Sequence, residues 1–251
     1  MAALPISQHF LHYFDVVIAD TDVLKQEVYA IRYQVYCDEL GFENKTYFLK
    51  QQEQDDFDLH SVHFLIRHKA SGQFAGTVRL ILPRDPILLS EQLLPVEYHC
   101  KNSLHPSVEK QYLLARRCAE VSRLAVRPEF RRRPDEQGKT HVSDIPLEWD
   151  TRCFPFISVG LYLTVAAYFM EANELESAMA LMEPRLARHL ARAGIYFNQV
   201  GSSIDFNGQR APFLVEKASL IANLKDEIRA LFEHIRQGVQ NTLSTQSQPS
   251  F

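Results

Sequence analysis

The chain is expected to fold as an α/β domain, a central sheet flanked by helices, on three observations. Strand-like runs alternate with helical ones: FDVVIA at 14–19 precedes an amphipathic stretch over 23–39, and AMALM at 178–182 precedes another that opens at Pro184. Two further strand runs, 61–68 and 74–82, are joined by the turn residues Ala70, Ser71 and Gly72 and read as an antiparallel pair. Residues 118–126, CAEVSRLAV, read as a strand carrying Glu120, Ser122 and Arg123 among small and β-branched neighbours. With 251 residues, of which 46% are hydrophobic, the chain has enough apolar material for a buried core.

In chain order, residues 1–13 are expected to form a loosely attached arm. Asp20 or Thr21 caps the helix over 23–39, Leu24, Val28, Ile31 and Val35 form its core stripe, and Gly41 ends it. On that period Arg32 and Tyr36 stand one turn apart and can face one site. Residues 43–60 are polar and acidic, with Glu53, Asp55, Asp56 and Asp58, and read as a solvated loop. Arg79 stands among apolar residues of the second hairpin strand, where an ion pair at the strand end is its simplest role. A long proline-containing connection spans 83–111. Phe156 to Ala172 reads as a buried helix, and Pro184 starts a helix that Gly194 closes. Strands follow at 195–200 and 213–216 around the turn residues Asn207 and Gly208, then an amphipathic helix over 220–235. The expected organisation is an arm at 1–13, one domain at 14–238 and a disordered tail at 239–251.

The stretch from 118 onward carries the chemistry. Burying a glutamate or an arginine inside a strand is costly unless the group is paired, so such a strand usually lines a site. Alternation places Glu120, Ser122 and Leu124 on one face and Arg123 on the other. Pro128 ends the strand, having no amide hydrogen to donate. Between 116 and 133 there are seven arginines against two glutamates, on a chain whose net charge is −4. A polar strand running into a basic loop points to a reaction centre beside an anion dock.

Several classes are excluded. No basic face is offered to nucleic acid. Four scattered cysteines without a CxxC spacing read as reduced thiols of a cytoplasmic protein. No signal sequence and no apolar run of the roughly 18 residues a membrane span needs are present. His60 with His63, and His99, Cys100 and His105, lack partners at ligand spacing, so no metal site is expected. Nothing around Cys118 or Cys153 resembles a nucleophile motif, and neither a Walker loop nor a G-x-G-x-x-G fingerprint occurs.

The element order resembles the GNAT N-acyltransferase fold, with its mixed central sheet between helices. Val126 to Arg133, VRPEFRRR, looks like the turn with which that family holds a pantetheine or pyrophosphate arm. A particular branch is closer. Autoinducer synthases carry an arginine in the first helix, an acidic D-x-x-D pair, a G-x-x-R strand and an E-x-S-R strand. Here these stand as Arg32, Asp55 to Asp58, Gly76 to Arg79 and Glu120 to Arg123. Tyr36 and Phe42 replace that branch's phenylalanine and tryptophan, and the insertion at 83–117 is longer. These features are more similar to the N-acyl amino acid synthases and to the acyltransferases associated with PEP-CTERM/exosortase systems. The blocks IRYQVYCDELGFE, DLHSVHFLIRH and AEVSRLAVRPEFRRR look most like the last group.

The resemblance implies transfer of a long acyl chain to the amine of an amino acid or similar small molecule. No cofactor is permanently bound, and the helix 156–172 and strand 178–182, mostly core, are the candidate walls of an acyl tunnel. The donor is an acyl-phosphopantetheine thioester, with acyl carrier protein ahead of coenzyme A because the loop is rich in arginine and lacks a glycine of the coenzyme A signature. Glu120, Ser122 and Arg123 are the candidate catalytic residues, Glu120 as base. The alternative for Glu120 is simple pairing with Arg79 or Arg123, and for Arg123 the ordering of the acidic loop through Asp55 or Asp58. Arg32, Tyr36, Phe42, Asp55, Asp58 and Arg79 are the candidate acceptor-binding set. The backbone of Leu124, Ala125 and Val126, with Arg127, Arg131, Arg132 and Arg133, is the candidate donor-binding set. An acyl-homoserine-lactone-type autoinducer synthase and a non-catalytic module that binds acyl chains or carrier protein remain as alternatives.

Overall fold

The β-branched and aromatic runs of the chain pair into a single sheet. The computed structural model describes residues 6–84, 94–113, 115, 117–131 and 156–246. Its strands are β1 (Phe14–Ile18), β2 (Ser61–His68), β3 (Phe74–Ile81), β4 (Cys118–Val126), β5 (Ser177–Met182), β6 (Asn198–Gln199), β7 (Ile204–Asp205) and β8 (Gln209–Glu216). They lie in the order β1-β2-β3-β4-β5-β8-β6, with β7 beside β8. The sheet is mixed: β4 and β5 run parallel, and the other pairs are antiparallel.

The helices are α1 (Ile6–Tyr13), α2 (Asp22–Arg32), α3 (Pro95–His99), α4 (Pro106–Val108), α5 (Pro128–Arg131), α6 (Ile157–Glu171), α7 (Pro184–Arg192) and α8 (Asp226–Gln246). Thr21 caps α2 by accepting from the Leu24 amide, and a π-helical stretch, Tyr33–Glu39, carries the helix on. One sheet face packs on α1, α6 and α8 through Phe64, Ile66, Leu80, Leu161 and Phe232. α6 is apolar on all sides, as a helix between a sheet and a second helix layer must be. The opposite face is covered by α2 through Val28, Ile31 and Leu65, and by the α3 region through Ile81, Val96, Cys118 and Met179. No helix among the described residues is long and apolar enough to cross a membrane.

The structure corrects four expectations. Residues 6–13 are not a loose arm but a helix, anchored because Phe10 is fully buried against Gly160; a Cβ there would lie 2.5 Å from the Phe10 ring. The closing helix begins at Asp226 and reaches Gln246, well into the stretch expected to be disordered. The stripe of Ile228, Phe232, Ile235 and Val239 continues to Leu243 and keeps that segment on the core. β8 starts at Gln209, directly after the left-handed turn at Asn207 and Gly208, so the strand expected at 213–216 is twice as long, and that expected at 195–200 shrinks to β6. Finally, the acidic stretch 43–60 is no solvated loop: Glu53 and Asp58 are buried, for reasons given below.

Candidate active site

The site follows from a defect in β4. Thr77 pairs with Ala125 and Arg79 with Ser122, so Arg123 and Leu124 together stand opposite the single residue Val78. This is a β-bulge, and Arg123 adopts a left-handed φ of 52° to make it. Gly76 gives the bulge room, since a Cβ at that position would meet the Ala125 carbonyl oxygen at 2.8 Å. The extra residue shifts the strand's alternation by one. Ser122 and Arg123 therefore both reach the α2 side of the sheet, while Leu124 joins the α6 side. The expectation that Arg123 opposes Glu120, and that Leu124 shares its face, fails for this reason.

β4 and β5 pair only where Cys118–Glu120 meets Ser177–Met179. Beyond that point they part, and a cleft of about 100 Å³ opens beside the bulge. Its wall toward α6 and α7 is apolar and aromatic, formed by Leu124, Tyr162, Ala180, Met182 and Leu186. Its other wall carries Phe42, Ser122, Arg123 and Arg210. Tyr36 lines the cleft and donates its hydroxyl to the Leu124 carbonyl at 2.6 Å, and burial holds that phenol in its neutral form. A larger hollow of about 580 Å³ between α1, β1 and α8 contains none of the motif residues.

Around this cleft lies a buried ion network. Arg32 donates to Glu53 at 2.5 Å and to Asp58 at 2.6 Å. Arg79 donates to Asp55 at 2.5 Å, to Asp58 at 2.7 Å and to Ser122 at 3.0 Å. Arg123 reaches Glu43 at 3.1 Å and both Glu53 and Asp55 at 3.3 Å. Asp55 also caps the short helical turn Asp56–His60. Burial opposes ionisation of Asp58, but Arg32 and Arg79 outweigh it and hold the carboxyl down to about 2. His63 lies 3.6 Å from Asp58, and burial pushes its imidazole down to about 4, so it is neutral. The acidic loop is drawn inward because two buried arginines, Arg32 and Arg79, and the partly buried Arg123 need partners. Arg32, Asp55, Asp58 and Arg79 line the network rather than the cleft; their contact with it runs through Arg123 and Ser122.

Glu120 is buried on the α3 side of β4, and its carboxylate accepts from the Val96 amide in the first turn of α3 at 2.8 Å. Burial pushes its carboxyl up to about 7, against the Val96 hydrogen bond and the positive charges of Arg79 and Arg123. It is not one of the cleft-lining residues and forms no ion pair with Arg79 or Arg123; Ser122, two residues on, does line the cleft. Ala125 and Val126 are buried in the two cores. The basic loop is less free than its composition suggests. Arg127 donates to Gln34 at 2.5 Å and lies 3.6 Å from Glu27; Arg131 is bound by Glu39 and the Val126 carbonyl; Arg117 pairs with Glu176. Arg132 and Arg133 lie outside the described residues, as do Arg116, Cys153 and the 134–150 loop.

Arg210 and Leu186 were not foreseen as site residues, and Tyr162 and Met182 were foreseen only as part of the stretches 156–172 and 178–182, without being singled out. Three are apolar or aromatic residues that read as core, and Arg210 is distant in sequence. Its one signal was an arginine two residues after an Asn-Gly turn, heading an apolar strand.

A model of a family described as acetyltransferase (GNAT) domain matches residues 31–138, which include the end of α2 with its π-helical continuation, the acidic loop and the bulged strand. Solved structures extend the likeness to most of the chain. The fold is that of the GNAT acyltransferases. The AHL synthase LasI superposes with a TM-score of 0.52 at 17% identity, covering 85% of this chain and 97% of LasI. TofI, solved in a ternary complex with an inhibitor and MTA, gives 0.55 at 17% identity over 86% and 99%. FeeM, an N-acyl amino acid synthase from uncultured soil microbes, gives 0.52 at 15% identity over 84% and 94%. At these identities the likeness is one of fold. No curated protein matches the sequence. Within this GNAT fold the bulge and the parted strands β4 and β5 are the features that make a cleft in an otherwise continuous sheet.

Proposed function

We propose that this protein is an N-acyltransferase that moves a long acyl chain from a phosphopantetheine thioester to the amine of an amino acid or related small molecule. The observation that carries the reading is the cleft at the bulge, apolar on one wall and charged on the other. The acyl chain lies against Leu124, Tyr162, Met182 and Leu186, and the acceptor approaches from the side of Ser122 and Arg123. Past Glu120, β4 has no strand partner toward β5, so its peptide groups near Leu124 to Val126 are placed to hold the pantetheine arm and the oxyanion.

In the reaction, the amine nitrogen attacks the thioester carbonyl carbon. The C–N bond forms, the C–S bond breaks, and the departing thiolate takes up a proton. Glu120 accepts the proton that the amine loses, directly or through a water; a carboxyl near 7 is suited to that exchange. Arg123, fixed by the acidic loop, holds the bulge in shape. The resemblance of the motif blocks to the PEP-CTERM/exosortase-associated acyltransferases supports the same reading. For the donor, Arg127 and Arg131 already have carboxylate partners within the chain, with which an acyl carrier protein would have to compete.

One observation favours a second reading. Glu120 is engaged with the Val96 amide, as it would be in a module that binds acyl thioesters without turning them over. Incubating the purified chain with dodecanoyl thioesters of carrier protein and of coenzyme A, with a panel of amino acids, separates the two. The transferase reading expects amine-dependent thiol release and an N-dodecanoyl product by mass spectrometry. Stoichiometric thioester binding with no product from any amine would establish the binding module instead.

A further inference from the structure

Arg210, partly buried, differs from the other arginines of the site. Arg32, Arg79 and Arg123 each have carboxylate partners. Among the described residues Arg210 has none, and its Nε is buried without a hydrogen-bond partner. The guanidinium carbon lies over two aromatic rings, 5.8 Å from the centroid of Phe42 and 5.9 Å from that of Phe206. Phe206 is itself backed by the ring of His99 at 4.2 Å. Contact with aromatic rings holds a guanidinium in place without using up its N–H donors, which stay available to a planar anion. That residue lines the cleft, on the same wall as Ser122 and Arg123.

The bound donor offers this charge no lasting partner, since the oxyanion and thiolate form only in passing and are met by the peptide groups of β4 and by a proton. A thioester and the pantetheine arm beside it carry amides and hydroxyls but no anion until the phosphate at the far end of the arm. An unmatched cation beside the point of transfer must therefore meet the acceptor. An amino acid carries its carboxylate on the same carbon as its amine. A carboxylate clamped by Arg210 would leave that amine directed at the bulge.

We infer that Arg210 is the carboxylate anchor of the acceptor, so that the acceptor is an amino acid with a free α-carboxylate and not a simple amine. This rests on the transferase reading, and the test keeps the two apart by measuring binding as well as turnover. The probes are N-dodecanoyl-leucine and its carboxamide, which differ only in the anion. Wild-type protein is expected to bind the carboxylate about 10- to 100-fold more tightly than the carboxamide, the range for a charge-assisted bidentate contact. Arg210→Gln should remove that preference, changing affinity for the carboxamide less than about threefold, while Arg210→Lys retains part of it. Equal affinity in the wild type, a preference that survives Arg210→Gln, or no binding of either probe would overturn the inference. Leucine and leucinamide are compared as acyl acceptors in parallel. Lost preference in binding with no turnover of either would retain the anchor and reject the transferase. Turnover of both at equal efficiency would retain the transferase and reject the anchor.

Discussion

The Tyr36 hydroxyl donates to the Leu124 carbonyl at 2.6 Å, tying the π-helical end of the first long helix to the bulge of β4. Removing it frees a partly buried carbonyl and loosens the strand where it borders the cleft. Tyr36→Phe should cost about 1 kcal/mol of stability and lower kcat/KM more than the loss of Tm accounts for. Denaturant titration and acyl-transfer kinetics on one preparation check both.

Asp58 is shared by Arg32 and Arg79 at 2.6 and 2.7 Å. Asp58→Asn leaves two buried guanidinium groups short of charge, and a loss of about 3–5 kcal/mol is expected. Because folding lowers this carboxyl from 3.8 to about 2, its contribution is fully present above pH 3.8 and is lost as the pH falls through about 2. The gap in unfolding free energy between wild type and Asp58→Asn should narrow over that window. A gap that stays constant from pH 6 to pH 2 would contradict the pairing.

Glu120 has the opposite sign. Folding raises its carboxyl from 4.5 to about 7, so its contribution is greatest below pH 4.5 and declines as the pH rises through about 7. Glu120→Gln retains an oxygen to accept from Val96 and removes the titration. The variant should gain stability relative to wild type between pH 4.5 and 7 and hold that gain above it, as thermal melts across the range will show. If Glu120 is the base, kcat should fall by about 10²- to 10⁴-fold in the same variant.

Gly76 faces the Ala125 carbonyl across the bulge, with space for no Cβ. Gly76→Ala is expected to destabilise by about 1–3 kcal/mol, the range for overpacking. It should also reduce acyl transfer, because the strain falls on the residues that border the cleft. A variant with wild-type Tm and rate would show that the backbone there yields freely.

Much of this was legible in the sequence for a physical reason. An arginine inside a strand demands a carboxylate, so Arg123 could be matched to the acidic loop, and Asp55 does reach it; that Arg32 and Arg79 draw on the same loop was not read from the sequence. The hairpin of β2 and β3 was legible because alternation and turn residues agree. The bulge was not. One inserted residue leaves composition and propensity untouched yet reverses every later side chain, so Arg123 and Leu124 were assigned to the wrong faces. Glu120 could be read as buried, but its cap on Val96 depends on a helix that lies beyond a long connection. Arg210 was hidden because the cleft is formed by strands and helices from both halves of the chain.

The central claim is that acyl chains occupy the gap between β4 and β5. A non-hydrolysable acyl-pantetheine with a diazirine at the end of its acyl chain, photolysed on the protein and mapped by peptide mass spectrometry, tests it most directly. The account predicts labels on Tyr162 and on the segment from Met182 to Leu186, competed away by unlabelled acyl thioester. Labels confined to the hollow lined by Phe14, Leu24 and Val239 would contradict it.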